Sequence, residues 1–405
     1  MQFFILGIQP QLSLSEINAY FSKKVDFALI SNEIAVTNSQ IDLIKAQERL
    51  AGVQKCGNII KTVESWDKQA IVDLISSAIL DQPHDKKIKF GLSIHNLDNP
   101  SLFSQIKKQI SGTGIEIKKK IKESGQSVRF VTSKEESLSS VVVWTNKLIE
   151  TGGEFVLIAT KDGIMIGQTV AVQNFKAWSE RDFGRPARDA KSGMLPPKLA
   201  RMMINLTETD LATSTLLDPY CGSGTVLMEA ELMGYKKIIG SDISEKAIDD
   251  TEKNTKWLEN QYGLRGDVNL YVSPADKLHE QVTDPVDAIV TETFLGDPQS
   301  KSPSQDELNK IVNELIEINR KSFKQLYDLM KPESKAVIAI PVYLGKEKKT
   351  FVPLKSVFKS LNFEIINPLP AGLPENLAKT TENGGILYFR EGQRVGREIL
   401  VLRKG

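Results

Sequence analysis

From residue 216 to residue 366, short apolar runs alternate with longer amphipathic ones, and this regularity constrains the fold more than any other feature. The spacing predicts strands at 216–218, 237–241, 268–272, 288–290, 335–342 and 363–366. Helical periodicity falls between them, at 225–233, 245–258, 307–330 and 354–361. Strand–helix alternation of this kind builds a parallel sheet with helices on both faces. The last apolar runs, 385–389 and 398–402, are joined by a polar, glycine-containing turn too short for a crossover, so they add an antiparallel strand. Ahead of the first strand, Pro196-Pro197 opens a helix whose apolar residues Leu199, Met202, Met203 and Leu206 recur at helical spacing.

The chain before residue 177 has a different pattern. Strands are expected at 3–7, 27–30, 33–36, 87–94, 115–121, 127–131, 154–160 and 163–172. Helices are expected from a capping box at Ser13-Leu14-Ser15-Glu16, and at 41–50, 67–80, 101–110 and 138–149. Such a mixture suggests two α+β units in succession, 1–60 and 61–176. A segment at 177–193, with Arg181, Asp182, Arg185, Arg188, Asp189 and Lys191 and little to bury, reads as a linker to the third domain, 194–405.

Composition excludes several classes. Hydrophobic residues make up 40% and charged residues 25% of 405, which is a globular profile. Apolar stretches fall short of the ~20 residues that a membrane span needs, and no basic lead-in marks a secretory signal. Cys56 and Cys221, with His84, His95 and His279, are too few and too scattered for a disulfide framework or a zinc site. The expectation is a metal-free cytoplasmic protein. A net charge of +1 argues against a polyanion binder along the whole chain. Locally, however, Lys107, Lys108, Lys118, Lys119, Lys120 and Lys122 form a basic stretch that could meet nucleic-acid phosphates, or could simply be a solvated face.

The strongest chemical signal is Asp218-Pro219-Tyr220-Cys221-Gly222-Ser223-Gly224-Thr225, between an apolar strand and a helix. Open α/β sheets bind ligands at such strand ends. Gly222 and Gly224 allow a tight turn and close approach, and the helix that Thr225 opens favours an anionic group. The loop lacks the Gly-x-x-x-x-Gly-Lys pattern and the third glycine of the dinucleotide fingerprint. Asp218 before the glycines suits a ligand with an ammonium group. Asp242, followed by Ile243, ends the second strand, where a carboxylate can accept two ribose hydroxyls. Asp276 ends the third, beside the expected edge of an adenine. Acid, Gly-x-Gly, acid and acid on three consecutive strand ends describe S-adenosylmethionine recognition.

With these residues in view, the chain resembles the RNA N2-guanine methyltransferases that carry an N-terminal THUMP domain, closest to the tRNA guanosine-10 type. The resemblance rests on the Asp218–Thr225 motif and on Trp178-Ser179-Glu180-Arg181-Asp182, Arg185-Pro186 and Gly193-Met194-Leu195-Pro196-Pro197-Lys198. It extends to Val395-Gly396-Arg397-Glu398-Ile399-Leu400 near the end and to the opening Phe3-Phe4-Ile5-Leu6-Gly7. It implies a ferredoxin-like domain at 1–60, a THUMP-like RNA-binding domain at 61–176, and a Rossmann-like S-adenosylmethionine-dependent domain after the linker. It also implies structured RNA, most naturally tRNA, as partner. Arg181 and Arg185 in the linker could contact RNA phosphates, or could equally belong to a charged tether.

One motif departs from the family. Where Asp-Pro-Pro-Tyr-Gly is expected after the fourth strand, the chain reads Thr291-Glu292-Thr293-Phe294-Leu295-Gly296. In the family the acid and a following carbonyl accept the N–H bonds of the target amine, and the aromatic residue stacks on the extruded base. Aligning on Gly296 gives the acid's role to Glu292, while aligning on the aromatic gives stacking to Phe294. Three readings stay open: guanine-N2 methylation in tRNA, amino-methylation of ribosomal RNA or DNA, and an RNA-binding protein with a decayed fourth motif.

Overall fold

Gln2–Leu6 is buried along its whole length, and so is Gly152–Thr160. Strands buried on both faces need neighbours on both edges and cover above and below. The computed structural model describes residues 1–84, 86–188, 194–296, 303–344, 348–390 and 392–405. It divides into two compact units, Met1–Leu14 with Lys24–Lys176, and Ser15–Lys23 with Ala177–Gly405.

The first unit holds one eight-stranded sheet. Its order is Phe27–Ile30, Ile34–Thr37, Gln2–Leu6, Val53–Val63, Gly163–Val172, Gly152–Thr160, Ile88–Asn96 and Val128–Val131. All neighbours are antiparallel except the last two pairings, where Ile88–Asn96 runs parallel to Gly152–Thr160 and to Val128–Val131. The expected division at residue 60 falls inside Val53–Val63, an unbroken strand of 11 residues, so segments 1–60 and 61–176 share this sheet.

Three local expectations need correction. Residues 115–121 are not a strand but the second half of one helix, Pro100–Glu123. Their alternation is incidental: Ile106, Thr113, Ile117 and Ile121 are buried at helical spacing, while Ile115 is 62% exposed. Gly114 has no side chain because a Cβ there would lie 2.2 Å from the Phe130 ring. The first helix begins at Pro10, not at a Ser13 capping box, and the Ser13 hydroxyl bonds back to the Gln9 carbonyl at 3.1 Å. The helix expected at 138–149 breaks at Lys147, whose φ of 55° separates Ser140–Thr145 from Leu148–Thr151.

The second unit is Rossmann-like. Its sheet runs Asp267–Val272, Lys237–Asp242, Thr215–Asp218, Val286–Glu292, Met330–Leu344, Val395–Lys404 and Phe363–Ile366. The first five are parallel, and Val395–Lys404 lies antiparallel to both of its neighbours. Two short strands flank this path: Lys349–Phe351 on Met330–Leu344, and Ile386–Tyr388 on Val395–Lys404. Between Thr215–Asp218 and Val286–Glu292 the order reverses direction, so chains leaving these strands diverge and open a crevice at their carboxyl ends. The helix Gln305–Leu329 covers one face, with Leu315, Phe323 and Leu326 buried and a capping box between Ser304 and Glu307. Among the described residues no helix is long and apolar enough to cross a membrane.

Candidate active site

Asp218 sits at the last position of its strand, and the chain then turns back through two left-handed glycines, Gly222 (φ 53°) and Gly224 (φ 80°). Gly224 precedes the helix Thr225–Met233, and a Cβ on it would approach Thr251 Cγ2 to 2.8 Å. From the next helix, Thr251 Oγ1 donates to the Gly222 carbonyl at 2.7 Å and Asn254 Nδ2 to the Ser223 carbonyl at 2.8 Å. Asp242 holds the turn from the other side: the amides of Gly222 and Ser244 donate to its two oxygens at 3.0 and 2.9 Å. Each of those oxygens keeps a lone pair for a further donor, as two ribose hydroxyls require.

The loop opens on a cavity of about 800 Å³. Asp218, Tyr220, Gly222, Thr225, Asp242, Ile243, Asp276, Glu292 and Phe294 all line it; Gly224 supports the turn beneath. Acids from four separate strand ends thus form one site, gathered at the switch point by the order of the sheet. Lys246 and Lys321 are the basic lining groups, and Lys246 is paired with Asp250 at 2.5 Å.

Asp218 is fully buried, and burial drives its carboxyl up to about 7, with Asp242 and Glu292 adding repulsion against hydrogen bonds from Thr291 and the Tyr220 amide. Both bonds, at 2.5 and 3.2 Å, fall on Oδ1; Oδ2 has no protein partner among the described residues. Burial also lifts Cys221 well above the usual thiol range, which leaves it a packing residue rather than a nucleophile. The Tyr220 phenol, donating to Ser322 Oγ at 2.6 Å, is pushed to about 12 by burial.

The divergent fourth motif is held by side chains. Thr291 is committed to Asp218, and Thr293 is buried with its amide on the Ala339 carbonyl at 3.0 Å. Between them Glu292 accepts from Arg397 Nε at 2.5 Å. Burial raises the Glu292 carboxyl above the ordinary range while Arg397 pulls it back. Phe294 is 40% exposed at the cavity, and Tyr343 OH donates to the Leu295 carbonyl at 3.0 Å. Gly296 adopts φ 82°, and a Cβ there would meet Tyr343 OH at 2.7 Å. Sequence reasoning missed Thr291, Tyr343 and Arg397 as parts of this site. The charged pair Arg397-Glu398, directly before the apolar run Ile399–Leu402 of the final strand, was the available sign of Arg397. Asp297, the other acid near this loop, lies outside the described residues.

A family model described as UPF0020, an RMKL-like methyltransferase domain, matches residues 185–341, and a DNA methylase model matches 102–253. The tRNA (guanine(10)-N2)-dimethyltransferase of Methanothermobacter thermautotrophicus is 34% identical over 125 residues, 31% of this chain and 34% of the relative. The chain thus spans about a third of that relative's length. A probable tRNA (guanine(10)-N2)-dimethyltransferase of Methanothermococcus thermolithotrophicus is 30% identical over 131 residues, 31% of this chain and 74% of the relative. The chain belongs to this methyltransferase family. In fold it is similar to TrmN from Thermus thermophilus, with a TM-score of 0.56, 12% identity and 100% of each chain covered.

The second unit is accordingly an S-adenosylmethionine-dependent methyltransferase domain, and its residues fit that cofactor. A buried carboxyl with one oxygen unpartnered, set among further acids, favours a ligand carrying positive charge. Asp242 offers acceptors to a ribose, and the exposed Ile243 beside it offers an apolar face to a base.

The methyltransferase domain does not offer Arg181 and Arg185 to RNA. Arg181 is 4% exposed, with Nε on Glu229 at 2.6 Å, and Arg201 meets the other oxygen of the same carboxylate at 2.9 Å. Arg185 is 2% exposed and donates to Thr225 Oγ1 at 2.6 Å. Both guanidiniums anchor the helix behind the glycine loop: Arg181 is paired with a carboxylate, as a buried charge requires, whereas Arg185 meets the Thr225 hydroxyl and the Met194 sulfur and leaves its Nε without a partner among the described residues. The described part of the expected linker is therefore built into the domain; residues 189–193 lie outside the described residues. In the first unit, Lys107, Lys108, Lys118, Lys119, Lys120 and Lys122 share the helix Pro100–Glu123. Lys107 pairs with Glu136, Lys119 with Glu123 and Lys120 with Asp73. Lys108, Lys118 and Lys122 form no ion pair among the described residues.

Proposed function

We propose that the protein methylates the exocyclic 2-amino group of a guanosine in tRNA. The observation that carries this reading is the convergence of Asp218, Asp242, Asp276, Glu292 and Phe294 on one cavity. In it, Asp218 receives the ligand's ammonium group, Asp242 its ribose and Asp276 its adenine edge, while Gly222, Gly224 and Thr225 shape the turn and Tyr220 and Ile243 enclose it. When bound, S-adenosylmethionine supplies an electrophilic methyl group on a sulfonium centre. Glu292 accepts an N–H of the guanine amine, which keeps the nitrogen lone pair aimed at its target, and Phe294 stacks on the extruded base. Acceptors fixed before the reaction cost no reorganisation during it.

The organisation that goes with this reading is a ferredoxin-like segment at 1–60, a THUMP-like RNA-binding segment at 61–176, a linker at 177–193 and the catalytic domain at 194–405, in a cytoplasmic protein. Lys108, Lys118 and Lys122, with Lys107, Lys119 and Lys120 beside them, contact RNA phosphates on the first unit. The match to a DNA methylase family over residues 102–253 favours a second reading, amino-methylation of a DNA base. Incubating unmodified tRNA and duplex DNA with the purified protein and S-adenosylmethionine, followed by nucleoside mass spectrometry, separates them. N2-methylguanosine from tRNA alone supports the first reading; methylated base from DNA alone replaces it with the second.

A further inference from the structure

Arg397 belongs to the final strand, Val395–Lys404, yet its Nε reaches Glu292 at the end of the fourth strand, 105 residues earlier. The register explains how. Glu292 lies beside Ala339, and Ala339 lies beside Ile399, on the strand Met330–Leu344 that separates the two. Arg397 is two residues from Ile399 and so shares its face of the sheet. Ala339 carries only a methyl group, which leaves a lateral path across the intervening strand. The two side chains end up 5% and 13% exposed. Glu292 lines the cavity, whereas Arg397 stands behind it and is not among the lining residues.

We propose that Arg397 is a positioning residue for methyl transfer: it fixes Glu292 Oε1 from behind, so that the rest of the carboxylate is presented, charged, to the target amine. The proposal rests on the reading of Glu292 as the amine's acceptor. A carboxylate on a flexible two-carbon stem, in a loop without the family's two prolines, needs such an anchor to hold one direction. Thr291 on Asp218 and Tyr343 on Leu295 fix the chain on either side, but neither bond involves the Glu292 carboxylate. The electrostatic surroundings demand the same partner. Glu292 faces Asp218 at the end of Thr215–Asp218; Asp242 and Asp276 line the cavity from the next two strand ends, and Lys246 and Lys321 from two helices. Among the described residues Arg397 is the cation in contact with it, and without that contact burial would favour the protonated acid, whose O–H presents a donor where the amine needs an acceptor.

The test compares Arg397→Met, Arg397→Lys, Glu292→Gln and the double variant Glu292→Gln/Arg397→Met in full-length protein, with tRNA transcript under single-turnover conditions. Arg397→Met should lower the rate about 10²-fold, by analogy with loss of one aligned group in a preorganised site, and leave S-adenosylmethionine affinity within about twofold. The acid limb of its rate–pH profile should move to higher pH, because Glu292 loses the charge that favours its ionised form. Arg397→Lys should recover part of the rate. In the Glu292→Gln background, Arg397→Met should cost less than about threefold, since its partner is already neutral. The double variant buries no unpaired charge, which keeps the measurement possible if the single variant folds poorly. Wild-type rate and pH profile in Arg397→Met, or an undiminished loss in the Glu292→Gln background, would overturn the proposal. Wild-type protein that methylates no tRNA guanosine would sink the substrate reading instead. The ion pair is then judged by carbon-13 NMR of labelled glutamate carboxyls, with Glu292→Gln assigning the signal. A Glu292 resonance with the same pH response in wild type and Arg397→Met overturns the proposal; one that titrates at higher pH in the variant supports it.

Discussion

Each unit buries a carboxylate inside its sheet, and the two are treated in opposite ways. In the first, Glu154 is fully buried and fully used: Lys55 Nζ and Ser93 Oγ reach Oε1 at 2.5 Å each, and Thr169 Oγ1 reaches Oε2 at 2.7 Å. Lys55 also donates to the Leu138 carbonyl at 2.7 Å. In the second, Asp218 is equally buried but sits among other acids, and among the described residues it has neither a cation nor a partner for Oδ2. Glu154, inside the first sheet, comes with its counter-charge; Asp218, at the cavity, has none among the described residues. A positively charged ligand at the switch point of the second sheet would offset the cost of such a desolvated, self-repelling cluster.

The most direct challenge to this contrast is to strip Glu154 of its partner. Lys55→Met leaves an uncompensated charge in a dry sheet and should lower stability by about 3–5 kcal/mol. Urea unfolding, together with hydrogen exchange at the amides of Val53–Val63, measures it. Lys55→Met/Glu154→Gln should recover at least half of that loss. If the single variant is as stable as the wild type, Glu154 is no better provided for than Asp218, and the distinction fails.

Asp218→Asn should do the reverse. With no counter-charge to lose, the protein without cofactor should be as stable or more so at pH 8, while calorimetry shows S-adenosylmethionine affinity down by about 1–3 kcal/mol. The pH dependence has a definite sign. Asp218 titrates at about 7 in the folded protein, above its ordinary 3.8, so the native state holds the extra proton between those values. Its contribution to stability is therefore fully present below about 4, declines as pH rises toward 7 and is gone above it, by at most about 4 kcal/mol. Asp218→Asn should flatten that decline. Binding of a cation should expel the proton, so wild-type cofactor affinity should climb with pH through 7; an affinity flat from pH 6 to 8 would place the ammonium group elsewhere.

The sequence made some of this legible because the governing information is local. Parallel alternation, the Asp218–Thr225 turn and the acids at strand ends are readable from spacing, since a strand end and a helix start leave a glycine little choice of position. What stayed hidden depends on partners far along the chain. Arg181 and Arg185 looked like free charge until Glu229 and Thr225, 48 and 40 residues on, were seen to hold them. Arg397 is 105 residues from Glu292, joined to it only by the order of strands. Ile115–Ile121 alternates like a strand, and only the burial of Ile117 and Ile121 decides for a helix.

That helix should respond least in stability, and it extends the contrast to the protein surface. Its solvent face has some lysines neutralised by neighbours, as in Lys120–Asp73 at 2.5 Å, and others, Lys108, Lys118 and Lys122, with no ion pair among the described residues. If unpaired charge marks binding in the first unit as it does at Asp218 in the second, these three meet the RNA phosphates. Reversing all three to Glu should leave stability within about 0.5 kcal/mol, because exposed charges contribute little to folding. The same change should weaken tRNA binding and reduce the slope of log affinity against log salt by about 0.7–0.9 for each phosphate no longer neutralised. Reversing Lys107, Lys119 and Lys120 should change that slope less, since each already shares its charge with an acid. Filter binding across a salt series distinguishes the sets: equal slopes for both would mean that pairing on this surface carries no information about where RNA sits.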